Sequence, residues 1–267
     1  MFKEPKVTLI HTIPIEVVEI AARNAYDSFD KSVNESVKSF KDTKELKKEN
    51  DFDTKFIRNL THVNFHTAMA EFADMIFFIE GTSRGVLQEL ARHRIASYAV
   101  KSTRYTLSEV VKYLIWYIYN TLNGPNATKF MEYFPDMFVL SDDNTLRIVK
   151  YQNFITEFRE ILKSDPDMLS KVLSKEAIGN LNEDFEVFMK SKNKRNAGDP
   201  FKMLISDAFS TDVVMKINMR SFMNFYNLRN SGSAWEQIRV LAKKMEESLP
   251  KEYKELLLNE EIPNEFQ

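Results

Sequence analysis

At 267 residues, with 43% apolar and 28% charged side chains, the chain is long enough for one large domain or two small ones and is globular rather than disordered. Its 37 Lys and Arg against 39 Asp and Glu leave a net charge of −2, which argues against a protein whose main work is to coat nucleic acid. Cysteine is absent, which excludes disulfides, cysteine-ligated metal and a thiol nucleophile; six glycines form neither a G-x-G-x-x-G nor a Walker loop. A nucleotide phosphate would have to be met by side-chain cations instead of Gly-rich backbone.

In chain order, Val7–Ile10 reads as a short strand and Pro14 suits the first position of a helix whose apolar face is Ile15, Val18, Ala22, Ala25 and Tyr26. Residues 30–53 are polar and Lys-rich and are expected to form a long loop. Thr54 is placed to cap a helix carrying Phe56, Ile57 and Leu60. Phe72–Ile79 reads as a strand buried on both faces, and Thr82-Ser83 opens a helix to about Arg92. From about 107 to 200, helical patterns such as Ile148–Leu162 alternate with polar connectors, and Lys190–Gly198 reads as an exposed basic loop. Asp212–Ile217 is a strand, Met219–Leu228 a helix, and Ser233 with Glu236 forms a capping-box pattern for the next helix, which runs to about Leu249. No apolar run approaches the ~20 residues of a membrane span. The first residues lack a signal-peptide pattern, so the expected location is cytoplasmic. The fold class is α/β (α+β), a single helix-rich domain over 1–267 around a mixed sheet, with a variable helical segment at about 107–200.

Two segments carry unusual chemistry. Arg84–Arg104 holds Arg84, Arg92, His93, Arg94, Lys101 and Arg104 against one acid, Glu89, with Ser97, Ser102 and Thr103 interspersed. Cations at a helix end complement its dipole, which is a sufficient structural reason for Arg92-His93-Arg94. Hydroxyls beside guanidinium forks also suit a ligand with several phosphate oxygens. The second segment runs from Asn218 to Arg229 and sets Arg220, Asn224 and Asn227 on one helix face among aromatic neighbours. Such a stripe is either a buried polar network or a face turned into a site, where amides could read a heterocycle edge. His62 and His66 are four apart, but Val63 stands where a zinc motif needs Glu, and no metal is expected.

Arg92-His-Arg94, seven residues, then Ser102 and Arg104-Tyr105 resembles the signature of flavin-dependent thymidylate synthases. Asn218-x-Arg220-Ser-x-x-Asn224-Phe-x-x-Leu-Arg229 resembles the family's second block, and His66 with Glu71 and Ser83-Arg84 extend the match over roughly 60–107 and 200–240. The resemblance implies an α/β homotetramer holding FAD and substrate between subunits. It implies reductive methylation of dUMP to dTMP, with methylenetetrahydrofolate as carbon donor and NADPH as reductant. FAD would be bound by Arg92, His93 and Arg94, with His66, Asn218, Arg220 and Asn224. Ser102, Arg104 and Lys202 would hold the dUMP phosphate; Lys202 stands where the family often has Arg and keeps the charge without the bidentate fork. Glu89 would lie at the substrate. Arg229 would contact and polarise the uracil ring, which makes it the catalytic candidate. Small-molecule partners only are implied, with no nucleic acid and no membrane.

Ala99-Val100 replaces the Asn-Glu of the common signature, and Phe72 replaces a His after Glu71. The loss of Asn-Glu keeps open folate- and flavin-dependent hydroxymethylation of dUMP or another pyrimidine nucleotide; a separate alternative is a non-catalytic flavin- or nucleotide-binding relative, against which the retention of Arg229 argues.

Overall fold

The computed structural model describes residues 2–257. In chain order the elements are β1 (Lys6–Thr12), α1 (Glu16–Ala25), α2 (Glu35–Thr43), α3 (Lys55–Arg58), β2 (Asp74–Ser83), α4 (Arg84–Ala91) and β3 (Ala96–Val100). Then come α5 (Thr103–Asn120), α6 (Ala127–Tyr133), α7 (Asn144–Ser164), α8 (Met168–Val172), α9 (Lys175–Gly179) and α10 (Phe185–Lys190). The chain continues through β4 (Ser210–Asn218), α11 (Met219–Arg229), α12 (Glu236–Glu247) and α13 (Lys251–Leu257). The sheet has four strands in the order β1-β2-β4-β3, so the expected helix-rich α/β class is what is found. β1 and β2 run antiparallel, with Val7 opposite Ile79 and a bulge between Leu9 and His11.

The chain divides into two compact units. The first comprises mainly Val100–Asp212 with Gly81–Leu87; the second comprises Glu4–Glu80, Gln88–Ala99 and the residues from Val213 on.

In the first unit α5 is the organising helix. Leu107, Val110, Val111, Leu114 and Ile115 fall at helical spacing and are buried, which gives α5 one continuous apolar face. Tyr113 joins an aromatic cluster with Tyr117, Phe130, Tyr133, Phe134 and Phe185. Phe158 of α7 stacks on Phe201 at 4.2 Å, both fully buried. Lys112 is buried too, and its ammonium donates to the carbonyls of Met189 and Ser191 at 2.6 and 2.7 Å, satisfying the end of α10. Burial pushes its pKa down.

The second unit packs α1, α11 and α12 with most of the sheet. Along β2 alternate side chains Met75, Phe77 and Ile79 are buried while their neighbours are partly exposed. This corrects the expected Phe72–Ile79 strand: it starts at Asp74, buries one face fully, and leaves Phe72 exposed in a 3-10 turn. Phe77 stacks on Phe222 of α11 at 5.8 Å.

Residues 30–53 are only partly the expected loop: residues 44–53 carry no helix or strand, but the first half is structured. A 3-10 turn, Phe29–Lys31, and α2 occupy that first half, with Phe29 and Val37 buried. Polar groups fix them: the Asn34 amide donates to Glu19 at 2.6 Å and its oxygen accepts from Asp53 N–H at 2.8 Å, while Glu49 accepts from the Ser36 hydroxyl at 2.6 Å. Glu19 also pairs with Arg23 at 2.9 Å, a buried ion pair within α1.

Two expected caps differ as well. Thr54 sits at the N-cap of α3, yet its hydroxyl donates to Glu255 at 2.7 Å rather than closing the helix. Ser233 does not box with Glu236, because Trp235 is the N-cap of α12 and the Ser233 hydroxyl lies 3.1 Å from that of Ser231. Among the described residues no helix is long and apolar enough to cross a membrane.

Candidate active site

In the second unit, α4 ends at Ala91 because the chain turns at the Arg-His-Arg segment. His93 N–H donates back to the Leu90 carbonyl at 2.9 Å. The Tyr98 hydroxyl donates to that same carbonyl at 2.6 Å and lies 3.1 Å from the His93 carbonyl, which pins the turn. Burial raises the Tyr98 pKa to about 12, so the donor stays protonated.

The turn separates three basic residues by environment. Arg92 and Arg94 are exposed, whereas His93 is only 9% exposed and its ring lies edge-on to Phe225 at 5.0 Å. Arg229, the last residue of α11, donates through Nε to His93 Nε2 at 3.2 Å and pairs through its Nη1 with Glu89 Oε2 at 2.7 Å. His93 therefore accepts at Nε2 and carries its proton at Nδ1. Burial, then the Arg229 and Arg92 charges, holds its pKa below the ordinary value and keeps it neutral. Glu89 also meets Arg92 at 3.3 Å. Arg229 does not project freely from the helix end: its side chain is 17% exposed and locked in orientation by two α4-side partners.

Asn218 caps α11, its side-chain oxygen accepting from Ser221 N–H at 2.9 Å and its NH₂ remaining as a donor. Arg220, Asn224 and Asn227 lie on the exposed face of α11, as the spacing predicts. Arg220 pairs with Glu71. His66 is bonded at Nδ1 by the Tyr26 hydroxyl, and the two rings stack at 6.1 Å. His62 makes no pair with His66; its Nε2 meets the Leu256 carbonyl at 2.6 Å.

In the first unit, Ser102 is the N-cap of α5, and its side chain makes no capping bond. Lys101 pairs with Asp212 at 2.9 Å. Arg104 and Lys202 come together on one acceptor, Asp199 Oδ1, at 3.1 and 2.9 Å. The Lys202 ammonium, then Arg104, holds the Asp199 carboxyl below its ordinary pKa.

Sequence reasoning picked out each cation but missed Tyr26 and Asp199. Tyr26 lies 40 positions from His66 and carries no local signal. Asp199 stands three before Lys202, a spacing that could have flagged it.

The described residues thus offer two cation-rich sets without a Gly-rich loop, and guanidinium and ammonium groups so placed are able to bind an anionic ligand through side chains. The chain matches the family model described as Thymidylate synthase complementing protein over residues 8–253, and it belongs to that family. It is similar to the flavin-dependent thymidylate synthase of Wolinella succinogenes, 29% identical over 256 residues that cover 96% of this chain and 98% of that one. The Helicobacter pylori enzyme of the same description is 28% identical over 246 residues, 92% and 94% of the two chains. A crystal structure of the Helicobacter pylori flavin-dependent thymidylate synthase complexed with FAD and dUMP aligns with TM-score 0.64 at 25% identity, covering 95% of this chain and 98% of that one.

Proposed function

We propose that this chain is a flavin-dependent thymidylate synthase that binds FAD and reductively methylates dUMP to dTMP, with methylenetetrahydrofolate as carbon donor and NADPH as reductant. The observation that carries the reading is the family match over 8–253, which takes in both cation sets. The chain serves as a single catalytic domain in a cytoplasmic homotetramer, with small molecules as its ligands.

The donor set fits FAD. Among the described residues Arg92 commits only one terminal nitrogen, to Glu89, and Arg220 only one, to Glu71, so each has N–H groups for a pyrophosphate. Arg94, His66, Asn224 and the NH₂ of Asn218, which has no partner among the described residues, complete the set, and His93 supports it by fixing the turn between the two arginines. When bound, the flavin supplies the hydride that completes the methyl group.

On the nucleotide side, the Ser102 hydroxyl, which makes no bond among the described residues, binds the phosphate with Arg104 and Lys202. Arg229 donates toward the uracil and stabilises negative charge as carbon 5 becomes nucleophilic. Glu89 and neutral His93 hold the guanidinium in one orientation, so it needs no reorganisation during reaction. Ser102 acts as a phosphate ligand and not as a nucleophile, since no general base adjoins it among the described residues.

The test incubates purified protein with FAD, NADPH, methylenetetrahydrofolate and dUMP and weighs the nucleotide. A gain of CH₂ supports the synthase. A gain of CH₂O overturns it in favour of a hydroxymethylase, the reading that Ala99-Val100 keeps open. An unchanged nucleotide with flavin bound overturns dUMP methylation.

A further inference from the structure

We propose that Asp199 is a positioning residue for the nucleotide phosphate: it anchors Arg104 and Lys202 from one side and presents their free N–H groups to the ligand. The inference rests on the assignment of that pair to the dUMP phosphate.

Three features place it. Asp199 and Lys202 lie in one 3-10 turn, Asp199–Leu204, with Pro200 at its start. Residues three apart eclipse in such a turn, so the carboxylate and the ammonium share a face. Gly198 then brings this turn against the first turn of α5: a Cβ there would meet Leu107 Cβ at 2.9 Å, the Thr103 carbonyl at 3.0 Å and the Arg104 carbonyl at 3.1 Å. Glycine is what permits that approach, and the approach sets Asp199 opposite Arg104.

The mode of contact decides between positioning and competition. A carboxylate that merely replaced phosphate would take the terminal fork of the guanidinium. Asp199 instead takes only Nε of Arg104, at 3.1 Å, and one contact from Lys202, at 2.9 Å, both on Oδ1. The Nη1–Nη2 edge of Arg104 takes no partner among the described residues, and two ammonium protons of Lys202 are left. Without the carboxylate, two flexible cations would repel each other, and ordering them would fall to the ligand.

The test uses the FAD-loaded full chain and measures dUMP by calorimetry and steady-state kinetics in Asp199→Ala, Asp199→Asn and Arg104→Ala. Asp199→Ala is expected to raise both Kd and KM for dUMP about fivefold, the scale of one part-exposed ion pair, with kcat within about twofold. Asp199→Asn keeps an acceptor oxygen and falls between Asp199→Ala and the parent chain. A folded Asp199→Asn with unchanged KM, or tighter dUMP binding by either variant, overturns the proposal. A fall in kcat at constant KM also overturns it. Failure of the underlying assignment reads differently: the parent chain fails to bind dUMP, or Arg104→Ala binds it as well as the parent does, and the proposal falls with it.

Discussion

Replacing Glu89 by Gln tests how Arg229 is held. The substitution keeps the shape and removes the charge that balances a guanidinium only 17% exposed. His93 cannot take over, because it is neutral and meets Arg229 only through Nε2 at 3.2 Å. An exposed pair contributes about 0.2–1 kcal/mol, and breaking a fully buried one costs about 3–5 kcal/mol. With side chains 17% and 29% exposed, the Arg229–Glu89 contact at 2.7 Å lies between these limits, and a loss of about 2 kcal/mol is expected. The second partner of Glu89 adds little, since the Arg92 side chain is 70% exposed. For a chain of this length the loss lowers Tm by about 4–8 °C. Thermal unfolding followed by circular dichroism would measure Glu89→Gln, Arg229→Met and the double variant as a cycle. A Glu89→Gln protein within about 0.5 kcal/mol of the parent, or a coupling energy below that figure, would refute the reasoning.

Three further outcomes are expected. Arg229→Ala should lower kcat by about 10²–10³-fold while flavin absorbance stays with the protein, and Arg229→Lys should recover only part of the rate; undiminished turnover in Arg229→Ala removes its catalytic assignment. His93 has a folded pKa below its ordinary 6.5, so the unfolded chain binds its proton first and stability falls as pH drops below about 6.5. His93→Asn should flatten that slope in denaturant titrations at pH 5 to 8, and an unchanged slope assigns it to other groups. Asn218→Ala removes the α11 cap and should cost about 1 kcal/mol; equal stability by urea unfolding would show that the 2.9 Å bond to Ser221 contributes nothing net.

Much of the scaffold was legible because its periodicity is local. α11 was readable from the stripe Arg220, Asn224, Asn227, and α7 contains the apolar pattern Ile148–Leu162. β4 extends the expected Asp212–Ile217 by two residues at its start and one at its end. The helical first half of the segment from 30 to 53 was not legible, for a physical reason. Its order comes from polar groups paired across long sequence separations, Asn34 with Glu19 and Asp53, Glu49 with Ser36, and a polar residue reads as exposed until its partner is known. The Thr54 and Ser233 caps failed alike, since each hydroxyl found a different partner.

By itself the sequence determined which residue types were available: no thiol, no phosphate-cradling glycine loop, and guanidiniums, amides and hydroxyls spaced as in one enzyme family. The tertiary structure decided how each is used. It sank His93 beside Phe225 while leaving Arg92 and Arg94 exposed, although the three are adjacent. It drew Arg229 back onto Glu89, 140 positions away, and gathered Arg104 and Lys202 on Asp199. Residue type sets what a group is able to donate or accept; its solvation and its partners across the fold set its charge and direction, and those depend on packing that no local pattern encodes.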